Sequence, residues 1–270
     1  MQRKWLSIVL VVVLLLTGLV SLGAAPASPG KGPVDRINFI HYPKDAPGKP
    51  ATAPGKETGG GVLDRDYKYS GVHWADGSAL GYAVNQAGSG VDAGATISAV
   101  QASFMPWDNA SGTLGFNYQG TTGLNAGNLD GTNAVSWADI SGQFPTALAV
   151  TSVWYYRFNK QIVETDTTMN AAYQWSYTAP VFQYPLAFPD LSGPASRDAS
   201  RYIDPVNLGP AGTYDIRNIM THEAGHWIML GDLYKSSDSE LTMYGYGAPQ
   251  ELKKGTLAYG DELGVERVYP

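Results

Sequence analysis

The spacing of hydrophobic positions changes along the chain, and each type of spacing predicts a strand or a helix. Residues 78–85, SALGYAVN, predict a strand. Asp92 then suits the N-cap of a helix that runs to Trp107, because apolar residues recur at i, i+3, i+7 and i+10 from Ile97. Short runs rich in β-branched and aromatic residues, separated by Gly, Asn and Asp, predict further strands at 113–120, 133–137, 147–157 and 161–170.

The last third of the chain predicts two helices. Asp215 is a suitable N-cap for the first, at 215–230, and the second covers 256–268. Residues 180–212 are rich in Pro and Gly and predict a long surface loop. We find no internal repeat. The order of strands and helices predicts an α/β or α+β layout in one domain.

The N-terminus has the pattern of an export signal. Arg3 and Lys4 precede an apolar run at 6–20, and A-P-A at 25–27 fits a cleavage site. The run is short for a membrane span, which needs about 20 residues. Residues 1–27 therefore predict a secretory signal peptide, with an uncleaved N-terminal anchor as the alternative. We expect a protein that is secreted, or anchored outside the cell membrane.

Residues 28–62 have a composition rich in Pro and Gly that is typical of a linker or a propeptide, so we expect the folded domain at 63–270. The island INFIHYPK inside this segment allows an isolated strand. We expect His41, within that island, to lie at the surface rather than bind a metal, since no other ligand type is at helical or turn spacing.

Composition narrows the class of protein. The chain has 18 Lys and Arg against 24 Asp and Glu, a net charge of −6 without long runs, which excludes nucleic acid as a partner. It has no Cys, so disulfides do not stabilise it. With 32 Gly, 17 Tyr and only 16% charged residues, it suits a loop-rich, partly β, extracellular domain.

The sequence THEAGHWIMLGD at 221–232 carries the candidate chemistry. His222 and His226 are four residues apart, so a helix places both imidazoles on one face, where they can hold one ion. Glu223 is one step round the helix and reaches a bound water rather than the metal. This is the H-E-x-x-H arrangement of zinc peptidases. The alternative is a pair of core histidines beside a buried Glu223, which would be costly if unpaired.

Zinc needs at least a third protein ligand. Gly231 can end the helix in a left-handed turn and bring Asp232 back to the ion. The rival ligands Glu240, Glu251 and Glu262 would each need to lie on a second helix that faces the first.

These motifs resemble the metzincin family of metallopeptidases. HEAGHWIMLGD resembles the signature H-E-x-x-H-x-x-G-x-x-[HD], SELTMYGYG at 239–247 resembles the Met-turn, and 253–270 is similar to the closing helix of matrixins. The resemblance covers 67–270 and is most specific in the last fifty residues. Two positions depart from the family: its glycine is Met229 here, so we expect Gly231 to form the turn, and the third ligand is Asp, as in the snapalysin-like branch.

The resemblance implies an α+β metzincin-like domain with a mixed twisted sheet, a helix in its N-terminal half, an active-site helix, a Met-turn and a C-terminal helix. It implies a secreted, monomeric zinc endopeptidase that cleaves proteins or peptides through a zinc-activated water, with a membrane partner only if the N-terminal segment is retained. The strand at 147–157 would pair with an extended substrate. The implied roles are metal ligands His222, His226 and Asp232, general base Glu223, hydrophobic floor Met243, and a contact to the oxyanion, or packing alone, for Tyr244 and Tyr246.

Other readings stay open at this point. Without Cys the cysteine-switch latency of animal matrixins cannot operate, so a propeptide would act sterically or through another ligand. Matrixins often carry structural Ca²⁺, but Asp130-Gly131-Thr132-Asn133 predicts a plain turn rather than a calcium loop. The competing class is a non-catalytic secreted binding module that contains zinc as a structural ion.

Overall fold

The computed structural model describes residues 32–46, 65–179 and 208–270, and within them the fold is α+β. The predicted signal peptide or anchor, and most of the predicted loop at 180–212, lie outside these ranges. The elements are β1 Val34–Pro43, β2 Ala79–Asn85, α1 Ala93–Ala110, β3 Gly115–Thr121, β4 Ala134–Ala138, β5 Ala149–Tyr156, β6 Ile162–Asn170, β7 Trp175–Ser176, β8 Tyr214–Asp215, α2 Ile216–Trp227, β9 Tyr246–Gly247 and α3 Tyr259–Val268.

Seven of these strands form one mixed sheet in the order β3-β2-β4-β6-β5-β1-β9. The strands β3, β2, β4 and β6 are mutually parallel. Strand β5 is antiparallel to both of its neighbours, β6 and β1. The short strand β9 runs parallel to β1 at the far edge. The α+β prediction is therefore confirmed at this coarse level.

Part of the segment 28–62, which the composition predicts to be a linker or a propeptide, forms strand β1. Its residues pair with β5 from Val34 opposite Tyr156 to His41 opposite Ala149, and Tyr42 continues the pairing onto β9. The aromatic and β-branched residues of the island favour a strand, and a long antiparallel neighbour satisfies its backbone groups. The island is thus a member of the main sheet, not an isolated strand.

The helices begin where the caps predict. Asp92 Oδ1 accepts the Ala95 N–H at 3.0 Å, and Asp215 Oδ1 accepts the Asn218 N–H at 2.8 Å. Helix α1 continues past Trp107 with Pro106 inside it, whereas α2 ends at Trp227, short of the predicted residue 230. No described helix combines the length and apolar composition needed to cross a bilayer.

The core lies between the sheet and the packed pair α1 and α2. Trp107 of α1 donates its indole N–H to the Thr221 carbonyl at 2.7 Å, and Trp227 of α2 donates to Thr167 Oγ1 of β6 at 2.8 Å. Among the described residues, the buried apolar side chains of this core come from the helices, the loops and the strands β2, β4, β5, β6, β7 and β8, and none comes from β1 or β3. Phe39 of β1 packs against the core only partly buried.

Candidate metal centre

Three side chains meet at the C-terminal half of α2. His222 Nε2 and His226 Nε2 are 3.1 Å apart. Asp232 Oδ1 lies 3.1 Å from the first of these nitrogens and 3.5 Å from the second. Both histidines are fully buried. The three predicted metal ligands thus form a tight triangle of donor atoms.

The size of this triangle fits zinc. Tetrahedral zinc with ligand bonds of about 2.0–2.1 Å separates its donor atoms by roughly 3.3–3.4 Å. The three separations of 3.1, 3.1 and 3.5 Å bracket that value. Two imidazoles and one carboxylate, with a fourth position left for water, are also a donor set that catalytic zinc uses.

Backbone carbonyls fix the tautomer of both imidazoles. His222 Nδ1 is 2.7 Å from the Thr242 carbonyl, and His226 Nδ1 is 2.7 Å from the Leu230 carbonyl. A carbonyl oxygen can only accept, so each Nδ1 carries the proton. Each Nε2 then offers its lone pair to the centre, which is the outer-shell arrangement that metal-bound histidines use.

The pKa shifts of His222 and Asp232 agree with a donor role, whereas that of His226 does not: burial works against its charged form, but the Asp232 carboxylate outweighs burial and raises the pKa of His226. Burial lowers the pKa of His222 to about 4. Burial also works against an ionised Asp232, yet the two histidines outweigh it and hold the pKa of that carboxyl below its usual range. A neutral His222 and an ionised Asp232 are the forms that bind a metal.

Asp232 reaches the centre through a turn that the sequence analysis assigned to the wrong residue. The left-handed residue is Met229, with φ of 65°, and Gly231 has no positive φ. The Met229 side chain is completely buried, so its packing offsets the strain of that conformation. Burial and the neighbouring Asp232 carboxylate raise the pKa of the Tyr234 hydroxyl, which lies beside this ligand.

The rival third ligands lie elsewhere. Glu240 is 44% exposed and pairs with Lys253 Nζ at 2.9 Å. Glu251 Oε2 accepts the Ala248 N–H at 3.1 Å. In the described part of the chain, neither they nor Glu262 belong to a group of metal-binding side chains within 4.8 Å of one another.

Met243, the predicted Met-turn residue, is buried against α2. A Cβ added at Gly225 would overlap the Met243 sulfur, so the backbone of the helix and this side chain are in direct contact. Asp261 of α3 holds the turn, because its carboxylate accepts the N–H groups of Thr242 at 2.8 Å and of Met243 at 3.0 Å. The same turn supplies the carbonyl that orients His222.

Glu223 is fully buried, and each of its carboxylate oxygens has a partner. Oε1 is 3.0 Å from His41 Nδ1, and Oε2 accepts the Thr151 hydroxyl at 2.6 Å. Burial raises the pKa of Glu223 to about 7. Thr151 belongs to β5, so this strand touches the candidate general base directly.

His41 contradicts the prediction that it lies at the surface, because it is completely buried. Its Nε2 is 3.3 Å from Lys254 Nζ, which also donates to the Tyr244 and Tyr246 carbonyls at 2.6 Å each. The lysine ammonium only donates, so Nε2 accepts. His41 Nδ1 therefore carries the proton and donates it to Glu223.

Several residues of this centre gave no signal in the sequence, because all of them except Tyr234 come from segments distant from the two histidines along the chain. The two predicted tyrosines do lie nearby: the Tyr246 ring is 5.2 Å from Tyr234 and 5.4 Å from Tyr244. At Asp130 the chain bends, and Asp130 Oδ1 accepts the Thr132 N–H at 3.1 Å. The missed residues are His41, Thr151, Tyr234, Lys254 and Asp261.

Comparison with known proteins identifies no family for this chain. No protein-family model matches the sequence, and a search of curated proteins finds no match either. The functional conclusion for this chain therefore depends on the geometry of the centre.

Proposed function

We propose that the chain is a secreted zinc-dependent endopeptidase of the metzincin type, similar to matrixins but with Asp232 as third ligand. The observation that carries the proposal is the triangle of His222, His226 and Asp232, with both Nδ1 protons on backbone carbonyls and Glu223 next in sequence. A donor triangle of zinc size would be an improbable by-product of core packing. The substrates are proteins or peptides.

Each residue has a distinct task in this proposal. When bound, zinc supplies Lewis acidity toward a peptide carbonyl and toward an attacking water. Glu223, with its pKa raised by burial to about 7, is suited to accept the proton of that water near neutral pH and to deliver it to the leaving amine. Thr151 fixes the direction of the carboxylate through its hydroxyl.

The surroundings support the metzincin form of the proposal. Asp232 follows His226 by six residues, as in the family signature, and Met243 packs against Gly225 as a Met-turn residue would. A purely structural site would have no need of an acid at position 223. We assign Tyr244 and Tyr246 to the wall beside the centre, with a contact to the oxyanion as the further role of one of them.

The test replaces the general base and leaves the metal ligands intact. Glu223→Gln keeps one zinc per chain and lowers cleavage of casein at least about 100-fold, because general base catalysis contributes about 10²–10⁴. Glu262→Gln is the matched control, since it changes a carboxylate that lies outside the centre, and it keeps both zinc and cleavage. Undiminished cleavage by Glu223→Gln would overturn the proposal.

The second candidate function is a non-catalytic secreted module with structural zinc. The observation that favours it is the engagement of both Glu223 oxygens, by His41 and Thr151, in a buried centre. Chelation separates the two functions. In the enzyme a chelator abolishes cleavage of casein, whereas in the module it lowers the melting temperature of a protein that cleaves nothing before treatment.

A further inference from the structure

Glu223 stands at the end of a chain of three buried hydrogen bonds. Its Oε2 accepts the Thr151 hydroxyl at 2.6 Å. Thr151 Oγ1 lies 2.7 Å from Thr167 Oγ1, which in turn accepts the Trp227 indole N–H at 2.8 Å. All four residues are completely buried, so bulk water does not compete for these bonds. One continuous path of hydrogen bonds therefore connects the indole to the candidate general base.

The chemistry of the four groups fixes the direction of this path. An indole N–H can only donate, and the ionised carboxylate of a general base can only accept. Each hydroxyl has a single hydrogen, so Thr167 donates its hydrogen to Thr151, and Thr151 donates its own to Glu223. In the opposite direction Glu223 Oε2 would lose its partner, which is costly for a buried carboxylate. All three bonds therefore point toward Glu223.

The fold builds the path from one helix and two strands. Thr151 of β5 and Thr167 of β6 are directly opposite each other in the antiparallel pair, and their branched side chains have few rotamers. Glu223 and Trp227 are four residues apart on α2, so both side chains lie on the same face of this helix. The path thus leaves α2 at Trp227, crosses two strands and returns to α2 one turn earlier.

We propose that Thr167 and Trp227 are positioning residues that hold the Glu223 carboxylate in its catalytic orientation through the Thr151 hydroxyl. This inference rests on the proposed function, in which Glu223 accepts the proton of the attacking water. A hydroxyl that accepts a hydrogen bond becomes a stronger donor, because the bonds of a chain polarise one another. The bond from Thr167 therefore keeps the Thr151 hydrogen directed at Glu223 Oε2.

Thr167→Val tests this role, because valine keeps the branched shape and removes the hydroxyl. We expect kcat for fluorescein-labelled casein to fall about threefold to tenfold. KM stays unchanged, because the orientation of the base matters in the transition state rather than in substrate binding. Thr151→Val removes the bond to the carboxylate itself and lowers kcat at least about tenfold. Thr167→Ser restores a hydroxyl and recovers most of the wild-type kcat, and every variant keeps one zinc per chain.

Thr165→Val is the matched control on the same strand. Thr165 lies two positions before Thr167, so its side chain is on the same face of β6, and it is completely buried as well. Within the described part of the chain, its hydroxyl oxygen has no hydrogen-bond partner. This variant keeps the wild-type kcat and KM, and its melting temperature does not fall.

A double variant separates the path from ordinary packing. If Thr167 acts only through Thr151, then Thr167→Val in a Thr151→Val background has no further effect on kcat. Independent packing effects would instead multiply. Thr167→Val also leaves the Trp227 indole N–H unpaired. If that lowers the melting temperature too far to assay, Thr167→Val with Trp227→Phe takes its place, because it removes donor and acceptor together.

A measurement on the zinc-free protein tests the path without activity. In NMR spectra that correlate ¹H with ¹⁵N, we expect Glu223→Gln to shift the Trp227 indole N–H signal. The shift is lost in the Thr151→Val background, where the path is broken. An indole signal that does not respond to Glu223→Gln counts against the inference.

Two outcomes separate the inference from the function it rests on. A wild-type kcat in Thr167→Val, beside a wild type that cleaves casein and is stopped by a chelator, would overturn the inference while the peptidase stands. Multiplying effects in the double variant would do the same. Zinc binding by the wild type without cleavage would overturn the peptidase, whatever the indole signal shows.

Discussion

Gly225, between the two histidines of α2, is the position where a single methyl group has the clearest expected effect. In an isolated helix, replacing Gly with Ala stabilises by about 1 kcal/mol. Here the added Cβ would overlap the Met243 sulfur and lie 2.8 Å from Trp107 Cζ2. Met243 and Trp107 are both buried in the core, and Trp107 is held by its bond to Thr221. The two side chains therefore have little room to move away.

The helix preference of Ala stabilises the variant and the steric overlap destabilises it, and the overlap is the larger effect. Overpacking of a well-packed core costs about 1–3 kcal/mol and sometimes more. Because the new methyl group contacts two side chains that cannot move away, we expect the overpacking cost of Gly225→Ala to be at or above the upper end of this range, about 3–4 kcal/mol. The better helix preference of Ala offsets about 1 kcal/mol of that cost. We expect a net loss of about 2–3 kcal/mol. For a domain of this size the loss lowers the melting temperature by about 5–10 °C.

The assay is urea and thermal unfolding followed by circular dichroism, in parallel with the matched variant Gly94→Ala. Gly94 lies in the first turn of α1, where the nearest atom to an added Cβ is the Asp92 side-chain oxygen at 3.3 Å. That variant keeps the wild-type stability or gains up to about 1 kcal/mol. If Gly225→Ala is as stable as wild type, the packing of Met243 against α2 is wrong.

The remaining predictions concern the turn, the third ligand and a buried carboxyl. Met229→Gly relieves about 1–2 kcal/mol of backbone strain but loses about 2–5 kcal/mol of buried side chain, so urea unfolding gives a net loss; a gain would refute this. In zinc titrations Asp232→Ala weakens binding by more than about 100-fold and Glu262→Ala leaves it unchanged, whereas the reverse result assigns the ligand to α3. Burial raises the pKa of Asp166 to about 7, so the folded state binds the proton of this carboxyl more tightly than the unfolded state does. The protonated carboxyl therefore stabilises the fold fully below about pH 4, and this stabilisation is lost as the pH rises toward 7. The change amounts to up to about 4 kcal/mol, and Asp166→Asn removes that part of the pH dependence of the unfolding free energy; parallel pH profiles of the two proteins would contradict it.

Elements and caps were predictable from the sequence because their causes are local. Asp92 and Asp215 cap helices whose first turns follow immediately. The histidines of α2 and Asp232 lie within one short stretch, so helical geometry and one turn were enough to bring them together. The turn itself was misassigned, since the burial of Met229 that allows a left-handed conformation depends on the whole core.

The partners of the centre could not be predicted because they come from distant segments. His41 and Glu223 are 182 residues apart, and nothing near His41 in sequence indicates an acidic partner. The prolines around the island predicted a linker, but its strand pairs with β5, whose residues follow more than a hundred positions later. Asp261 gave no signal either, because a carboxylate at a helix start is as typical of capping as of holding another segment.

The carbonyls of Thr242 and Leu230 have a consequence for how the proposed zinc ion would enter and leave the centre. These main-chain oxygens orient both imidazole rings, so the fold positions the two histidine ligands without help from a bound ion. Stripping the ion with a chelator then leaves the secondary structure intact. Reloading, with zinc or with cobalt as a coloured substitute, proceeds at the pace of ligand exchange instead of the pace of refolding.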